Sequence, residues 1–164
     1  MHVGSISSLI YRKPWIVPHA IPYLESIIRP HHNVLEFGSG GSTLWFADHA
    51  LAVESIEHSR VWRNRVAAAM TGDDDKKIEL RLIPNYCKHD EIKLRRKYDV
   101  IFIDGIHRRQ CFKASIDRLA DGGILIVDNS NRDEIKPIRD SLRWPTTAFR
   151  DGGWSTTFWF KPRN

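Results

Sequence analysis

Cysteine is scarce in this sequence, with only Cys87 and Cys111 among 164 residues. Two cysteines without metal-ligand spacing exclude a disulfide framework and a zinc cluster, so we expect a reducing, cytoplasmic location. No window approaches the ~18 uninterrupted apolar residues of a membrane span, and the first fifteen residues lack the apolar core of a signal peptide. The composition therefore predicts a globular protein with no membrane partner.

Acidic residues are outnumbered by basic ones, which gives a net charge of +5 and a pI near 9.4. The basic residues cluster at 93–97 ("KLRRK") and at Arg108-Arg109. Such clusters are typical of a solvated face, and they also permit an acidic partner. We expect a small-molecule ligand in preference to nucleic acid, and the nucleic-acid alternative stays open.

The sequence also has no internal repeat, low-complexity tract or linker, which predicts a single domain over residues 1–164. An N-terminal segment and helix, residues 1–30, precede a core over residues 33–160. Short apolar runs alternate with amphipathic stretches, and the predicted strands are residues 33–38, 51–58, 77–84, 98–105 and 123–129. The predicted helices are residues 18–30, 60–70, 107–123 and 131–142.

This alternation of strand and helix predicts an α/β fold with a doubly wound, Rossmann-like and mostly parallel sheet. Residues 146–160 depart from the rhythm, because two β-rich runs flank Asp151-Gly152-Gly153. That pattern indicates a C-terminal antiparallel hairpin.

A glycine-rich turn, Gly38-Ser39-Gly40-Gly41-Ser42-Thr43, follows the first strand. Turns at this place in α/β sheets bind ligands through close backbone approach and a helix N-terminus. Thr43 stands where the dinucleotide fingerprint G-x-G-x-x-G needs its third glycine. Glu36, two residues before the turn, would repel a pyrophosphate but suits an ammonium group. The turn therefore favours S-adenosylmethionine over a nicotinamide dinucleotide.

Glu57 ends the second strand, 19 residues after Gly38. Folds of this kind place an acid about 20 residues after the glycine turn, on the ribose hydroxyls. An ionised carboxylate accepts two hydrogen bonds, which matches a vicinal diol. We therefore expect Glu57 to bind a ribose.

With these features, the sequence resembles the class I S-adenosylmethionine-dependent methyltransferases. The matching segments are "VLEFGSGGSTL", "VESIEHS", "YDVIFIDGIHRRQC" and "LADGGILIVDNS". The resemblance is nearest to small methyltransferases with an "FIDG-x-H" fourth strand, and it implies a seven-stranded sheet with a reversed last strand. It also implies the cofactor-binding residues, which we take as Glu36, Gly38, Ser39, Gly40, Ser42, Thr43, Glu57, His58 and Asp104.

Three polar residues follow strands four and five: Asp104, Asp128 and Asn129. Their oxygens form a hard ligand set of the kind that Mg²⁺ prefers. The arrangement is similar to the metal-dependent catechol-type O-methyltransferases, which have a lysine base where this chain has His107. The resemblance thus implies a possible Mg²⁺ site, with His107 and Asp104 as candidate catalytic residues.

We therefore expect an S-adenosylmethionine-dependent O-methyltransferase that acts on a small-molecule or glycosidic hydroxyl. The alternatives are an RNA or DNA methyltransferase, an NAD(P)-binding oxidoreductase and a non-catalytic scaffold that keeps the cofactor pocket. Little chain remains to cover an acceptor, so we expect either that a partner subunit, as in a homodimer, completes the site or that the substrate is large and exposed.

Overall fold

The structure is a computed structural model that describes residues 3–85 and 92–163. The helices are α1 (Val3–Ile10), α2 (Ala20–Ile27), α3 (Gly41–His49), α4 (Arg60–Ala69), α5 (Asp74–Lys77), α6 (Arg108–Ser115) and α7 (Lys136–Ser141). The strands are β1 (Asn33–Phe37), β2 (Ala52–Glu57), β3 (Ile78–Leu82), β4 (Tyr98–Ile103), β5 (Leu119–Asp128), β6 (Thr146–Asp151) and β7 (Trp154–Phe160). Within these residues no helix is long and apolar enough to cross a membrane.

The seven strands form one sheet in the order β3-β2-β1-β4-β5-β7-β6. Strands β1 to β5 pair in parallel, whereas β7 runs antiparallel to both of its neighbours. The predicted α/β fold, its seven-stranded sheet and its C-terminal hairpin are therefore confirmed. Because β7 is reversed, its first residues reach the edge of the sheet where the parallel strands end.

Two apolar cores cover the two faces of the sheet. Successive strand residues point to opposite faces, so Val34 and Val100 pack in one core while Leu35 and Ile101 pack in the other. All four side chains are essentially inaccessible to solvent. This burial on both faces explains why the central strands have near-continuous apolar sequences.

The helix predicted over residues 107–123 is shorter in the structure. Helix α6 ends at Ser115, a 3₁₀ turn follows, and Leu119 already pairs with Tyr98 of β4. The apolar periodicity continues through Leu119 because this residue is buried in the same core as the helix, not because it is helical. In contrast, Pro137 lies in the first turn of α7, as predicted.

The N-terminal helix α1 packs across the beginning of α3. Gly41 makes this contact possible, since a Cβ there would lie 2.2 Å from the Ser8 carbonyl oxygen. Arg12 fixes the segment that follows, with hydrogen bonds to Asp48 and Asp74 at 2.7–3.0 Å. The N-terminal segment therefore belongs to the folded domain.

Candidate active site

A cleft of about 600 Å³ lies at the carboxyl ends of the parallel strands. This volume lies within the range of small-molecule and cofactor pockets. The cleft is lined by Ser8, Trp15, Gly38, Ser39, Gly40, Gly41, Ser42, Glu57, His58, Ser59, Trp62, Asp104, Gly105, Ile106, Arg108, Asp128, Asn129, Arg132 and Trp154. The glycine turn, the end of β2 and the ends of β4 and β5 thus meet in one place, as the sequence predicts.

Gly38 holds the glycine turn close to the end of β4. Its φ of +93° lies in the region that favours glycine, and an added Cβ would lie 2.6 Å from the Gly105 nitrogen. Its own N–H donates to the Ile56 carbonyl at 2.9 Å. Gly38 is therefore required by the backbone, which brings Ser39 and Gly40 to the floor of the cleft.

Glu57 lies at the wall of the cleft with only 2% of its surface exposed. Its carboxylate accepts hydrogen bonds from the Ser39 N–H at 3.0 Å and the Ser59 N–H at 2.7 Å. His58 also lines the cleft, with its Nδ1 atom 2.9 Å from a Glu57 oxygen. A carboxylate has about four acceptor positions, so Glu57 keeps capacity for a ligand while it fixes the turn.

Glu36 is placed differently from the expectation that it contacts an ammonium group. It is fully buried beneath the turn and accepts hydrogen bonds from the hydroxyls of Ser42, Thr43 and Ser55, each at 2.5 Å. Burial raises the pKa of Glu36 to about 7, although the hydroxyl donors favour the charged form. Glu36 does not line the cleft, and of its three hydroxyl partners Ser42 does.

Thr43 is also buried behind the cleft rather than exposed to it. Its hydroxyl accepts the Gly40 N–H at 2.9 Å while it donates to Glu36. Of the residues predicted to bind the cofactor, Glu36 and Thr43 therefore support the turn from behind. The other members of the set line the cavity directly.

Asp104 stands at the centre of the cleft, one residue after β4, with a quarter of its side chain exposed. Arg108 Nη2 donates to an Asp104 carboxylate oxygen at 3.1 Å and to Asn129 Oδ1 at 2.9 Å. Burial, followed by the charge of Asp128, raises the pKa of the Asp104 carboxyl well above its usual range, against the opposing effect of Arg108. The cleft therefore contains a carboxyl group whose proton affinity is increased by its surroundings.

Asp128, the last residue of β5, is engaged by the reversed strand. It accepts hydrogen bonds from the Thr156 hydroxyl at 2.6 Å and from Trp154 Nε1 at 2.9 and 3.0 Å. Burial raises the pKa of the Asp128 carboxyl, whereas these hydrogen bonds lower it. Trp154 in turn packs edge-on against Trp15, at 6.3 Å between ring centroids, and the two rings form an aromatic wall of the cleft.

The expected Mg²⁺ site does not fit this arrangement. Asp104 and Asn129 share a guanidinium, and Asp128 is directed to Trp154 and Thr156. Over residues 3–85 and 92–163, no group of three or more His, Cys, Asp or Glu side chains is arranged to hold a metal ion. The position between Asp104 and Asn129 already contains a positive charge.

His107 does not reach the cleft, contrary to its expected role as a base. It precedes α6 with a left-handed φ of +51° and an exposed side chain. The next residue, Arg108, enters the cavity instead and is only 5% exposed. Asp104 and Arg108 are joined by a non-helical connection, so the helical four-residue spacing gave no sequence signal for this contact.

Other lining residues were also missed from the sequence. Trp62 Nε1 donates to the Ser39 carbonyl at 2.5 Å, which ties α4 to the glycine turn. Arg132 and Ser59 enter the cavity from the segments after β5 and β2. Trp62 and Arg132 belong to none of the matching segments, and Ser59 is the last residue of "VESIEHS", so it is the fold that brings the three together.

Comparison with known proteins agrees with the fold. An O-methyltransferase from Bacillus cereus, solved in complex with SAH, has a TM-score of 0.70 and 18% identity; the match covers 98% of this chain and 91% of that one. An rRNA methylase from Streptococcus thermophilus has a TM-score of 0.65 and 15% identity, with 87% and 93% covered. Precorrin 8w decarboxylase from Methanobacterium thermoautotrophicum also has a TM-score of 0.65 and 15% identity, with 87% of each chain covered.

No protein-family profile and no curated sequence matches the chain. At such low identities the structural likeness defines the fold alone. The chain therefore has the fold of the class I S-adenosylmethionine-dependent methyltransferases. According to their names the similar proteins carry out different reactions, so the function has to be argued from the cleft.

Proposed function

We propose that the protein is an S-adenosylmethionine-dependent methyltransferase whose acceptor is a hydroxyl group of a small molecule. The observation that carries this proposal is the meeting of the Gly38 turn with Glu57 at one wall of the cleft. The open dinucleotide fold has the strand order 3-2-1-4-5-6, whereas β7 is inserted and reversed here. The sheet therefore favours a methyltransferase over the oxidoreductase alternative.

The residues of the turn suit the cofactor. Glu57 would accept hydrogen bonds from the ribose hydroxyls. It would use the acceptor positions of its carboxylate that the Ser39 and Ser59 N–H groups do not occupy. The backbone at Gly38 to Gly40, at the beginning of α3, would meet the charged methionine end. When bound, S-adenosylmethionine supplies an electrophilic methyl group, and the chain orients an acceptor toward it.

Asp104 is the candidate base on the acceptor side. A hydroxyl loses a proton during methylation, and a base works best when its pKa is near the working pH. The raised pKa of Asp104 meets this requirement better than an ordinary aspartate would, and its carboxyl is accessible from the cleft. The adjacent Trp15 and Trp154 would receive the apolar part of the acceptor.

Methylation of RNA is the second candidate, and the positive charge of the chain favours it. RNA binding through lysine and arginine weakens steeply with salt. We therefore expect a nucleic-acid acceptor to bind at 50 mM salt and dissociate at 300 mM, whereas a small hydroxylated acceptor changes little.

The two candidates are separated by transfer of a radiolabelled methyl group. Purified protein is incubated with labelled S-adenosylmethionine and either a set of hydroxylated aromatic compounds or total RNA. Label in a small compound, lost on Asp104→Asn, supports the proposed reaction. Label in RNA alone would contradict it in favour of the second candidate, and cofactor binding without transfer would indicate the scaffold alternative.

A further inference from the structure

Arg108 is a buried positive charge at the centre of the cleft. Only 5% of the residue is exposed, and Nη2 contacts the Asp104 carboxylate at 3.1 Å and Asn129 Oδ1 at 2.9 Å. Nη1 lies 3.9 Å from Glu134, beyond hydrogen-bond distance, and within the described residues Nε has no partner. A buried guanidinium with unused donors is costly unless it has a role at the site.

The oxygens that hold Arg108 are those expected to hold a divalent cation. Asp104 and Asn129 follow neighbouring strands, β4 and β5, so their oxygens converge on one point at the sheet edge. A hard dication needs oxygens that are not already bound to a cation. The guanidinium satisfies the same negative charge with fixed, directional N–H donors.

We propose that Arg108 is a built-in cation that occupies the place of the divalent metal, so that this cleft binds no metal. The guanidinium neutralises Asp104 and fixes Asn129. This inference concerns the acceptor side of the proposed methyltransferase site, but its test needs neither the cofactor nor the acceptor. It can therefore fail independently of the proposed function.

The test is a titration of the full chain with Mn²⁺. Binding is measured by the decrease in the electron paramagnetic resonance signal of free Mn²⁺. The wild-type protein is expected to leave the signal unchanged up to millimolar Mn²⁺. Arg108→Ala removes the guanidinium and frees the oxygens, so we expect at least a tenfold gain in Mn²⁺ affinity. Arg108→Lys keeps a positive charge at the site and should show no gain.

Two matched controls locate the effect. Arg109→Ala removes the next arginine, which is exposed on the same helix, and should behave as wild type. The double variant Arg108→Ala, Asp104→Asn should lose the gained binding, and circular dichroism confirms that each variant is folded. Stoichiometric Mn²⁺ binding by the wild type would overturn the proposal. A folded Arg108→Ala that gains no binding would also overturn it, because the guanidinium would then replace nothing.

Discussion

Glu57 has two roles at the scale of single residues, because it fixes the glycine turn and faces the cleft. Its position was predictable, since the end of a strand and the spacing from Gly38 are both visible in the sequence. Which of the two residues His107 and Arg108 enters the cleft was not predictable from the sequence. It depends on the left-handed backbone at His107, which sets where the first turn of α6 points.

Substitution of Glu57 tests its contact with the cofactor. Glu57→Ala should weaken binding of S-adenosylhomocysteine by roughly tenfold or more, because a hydrogen bond to a charged group contributes about 1.5–3 kcal/mol. Glu57→Gln keeps one acceptor oxygen and should give an intermediate loss. Titration calorimetry gives the affinities, with exposed Glu79→Ala as the control. Unchanged affinity in a folded Glu57→Ala variant would contradict the proposed contact between Glu57 and the ribose.

The buried carboxyl group of Glu36 should make the free energy of unfolding depend on pH. Its pKa is raised from 4.5 to about 7 by burial, so the folded chain holds this proton more tightly than the unfolded chain. Its stabilising contribution is therefore complete below pH 4.5 and is lost as the pH rises through 7. Between these limits the loss is on the order of 3 kcal/mol, since each pH unit corresponds to about 1.4 kcal/mol.

Urea unfolding of the wild type and of Glu36→Gln at pH 5, 6.5 and 8 measures this effect. Glutamine does not titrate, so the variant should gain stability relative to the wild type as the pH rises. Asp104 and Asp128 titrate in both proteins, so their contributions cancel in the difference except for the part of the Asp104 pKa that the charge of Glu36 raises. Glu25→Gln, on the exposed face of α2, is the matched control for the substitution. A stability difference between wild type and Glu36→Gln that is the same at all three pH values would refute the assignment.

At the scale of elements, the connection from β1 to α3 determines the shape of the cleft. Gly38 has a positive φ and touches Gly105, whereas Gly40 is extended at φ −178° and has only Ser42 Oγ, at 3.9 Å, near the place of a Cβ. The sequence shows both as members of one glycine cluster. The sequence does not show that Gly38 alone must be glycine. The atoms that leave no room for a side chain there belong to Asp104 and Gly105, which follow β4 and are distant in the sequence.

Replacing each of these two glycines by alanine should therefore change the free energy of unfolding by different amounts. Gly38→Ala should lower the free energy of unfolding by about 1–3 kcal/mol from the backbone conformation alone, with the contact to Gly105 adding to it. Gly40→Ala should stay within about 0.5 kcal/mol of wild type, since nothing obstructs the new methyl group. Urea unfolding measures both. Equal stability of the two variants would contradict the close approach of the turn to β4.

Element boundaries were predicted best where one signal dominated. The central strands followed from apolar runs buried on both faces. The end of α6 was missed because Leu119 continues the apolar spacing although it belongs to β5. Packing of α1 on α3 through Gly41 had no sequence signal, since it joins segments without a shared pattern.

At the scale of the whole molecule, the sheet explains why the functional residues meet. Parallel strands β1, β2, β4 and β5 all end at one edge, and the reversed β7 brings Trp154 to the same edge. The alternation of strands and helices predicted this edge, and the two β-rich runs of residues 146–160, which depart from that alternation, predicted the hairpin. These patterns could not predict which side chains fill the cleft, because Arg108 enters from α6, Trp62 from α4 and Trp15 from the loop before α2.

The most direct test of the central claim is a calorimetric titration of the full chain with S-adenosylhomocysteine. The Gly38 turn and Glu57 predict one site per chain with micromolar affinity, unchanged by added Mg²⁺ because Arg108 occupies the place of a cation. No binding to a protein shown to be folded would contradict the assignment of the cleft to this cofactor.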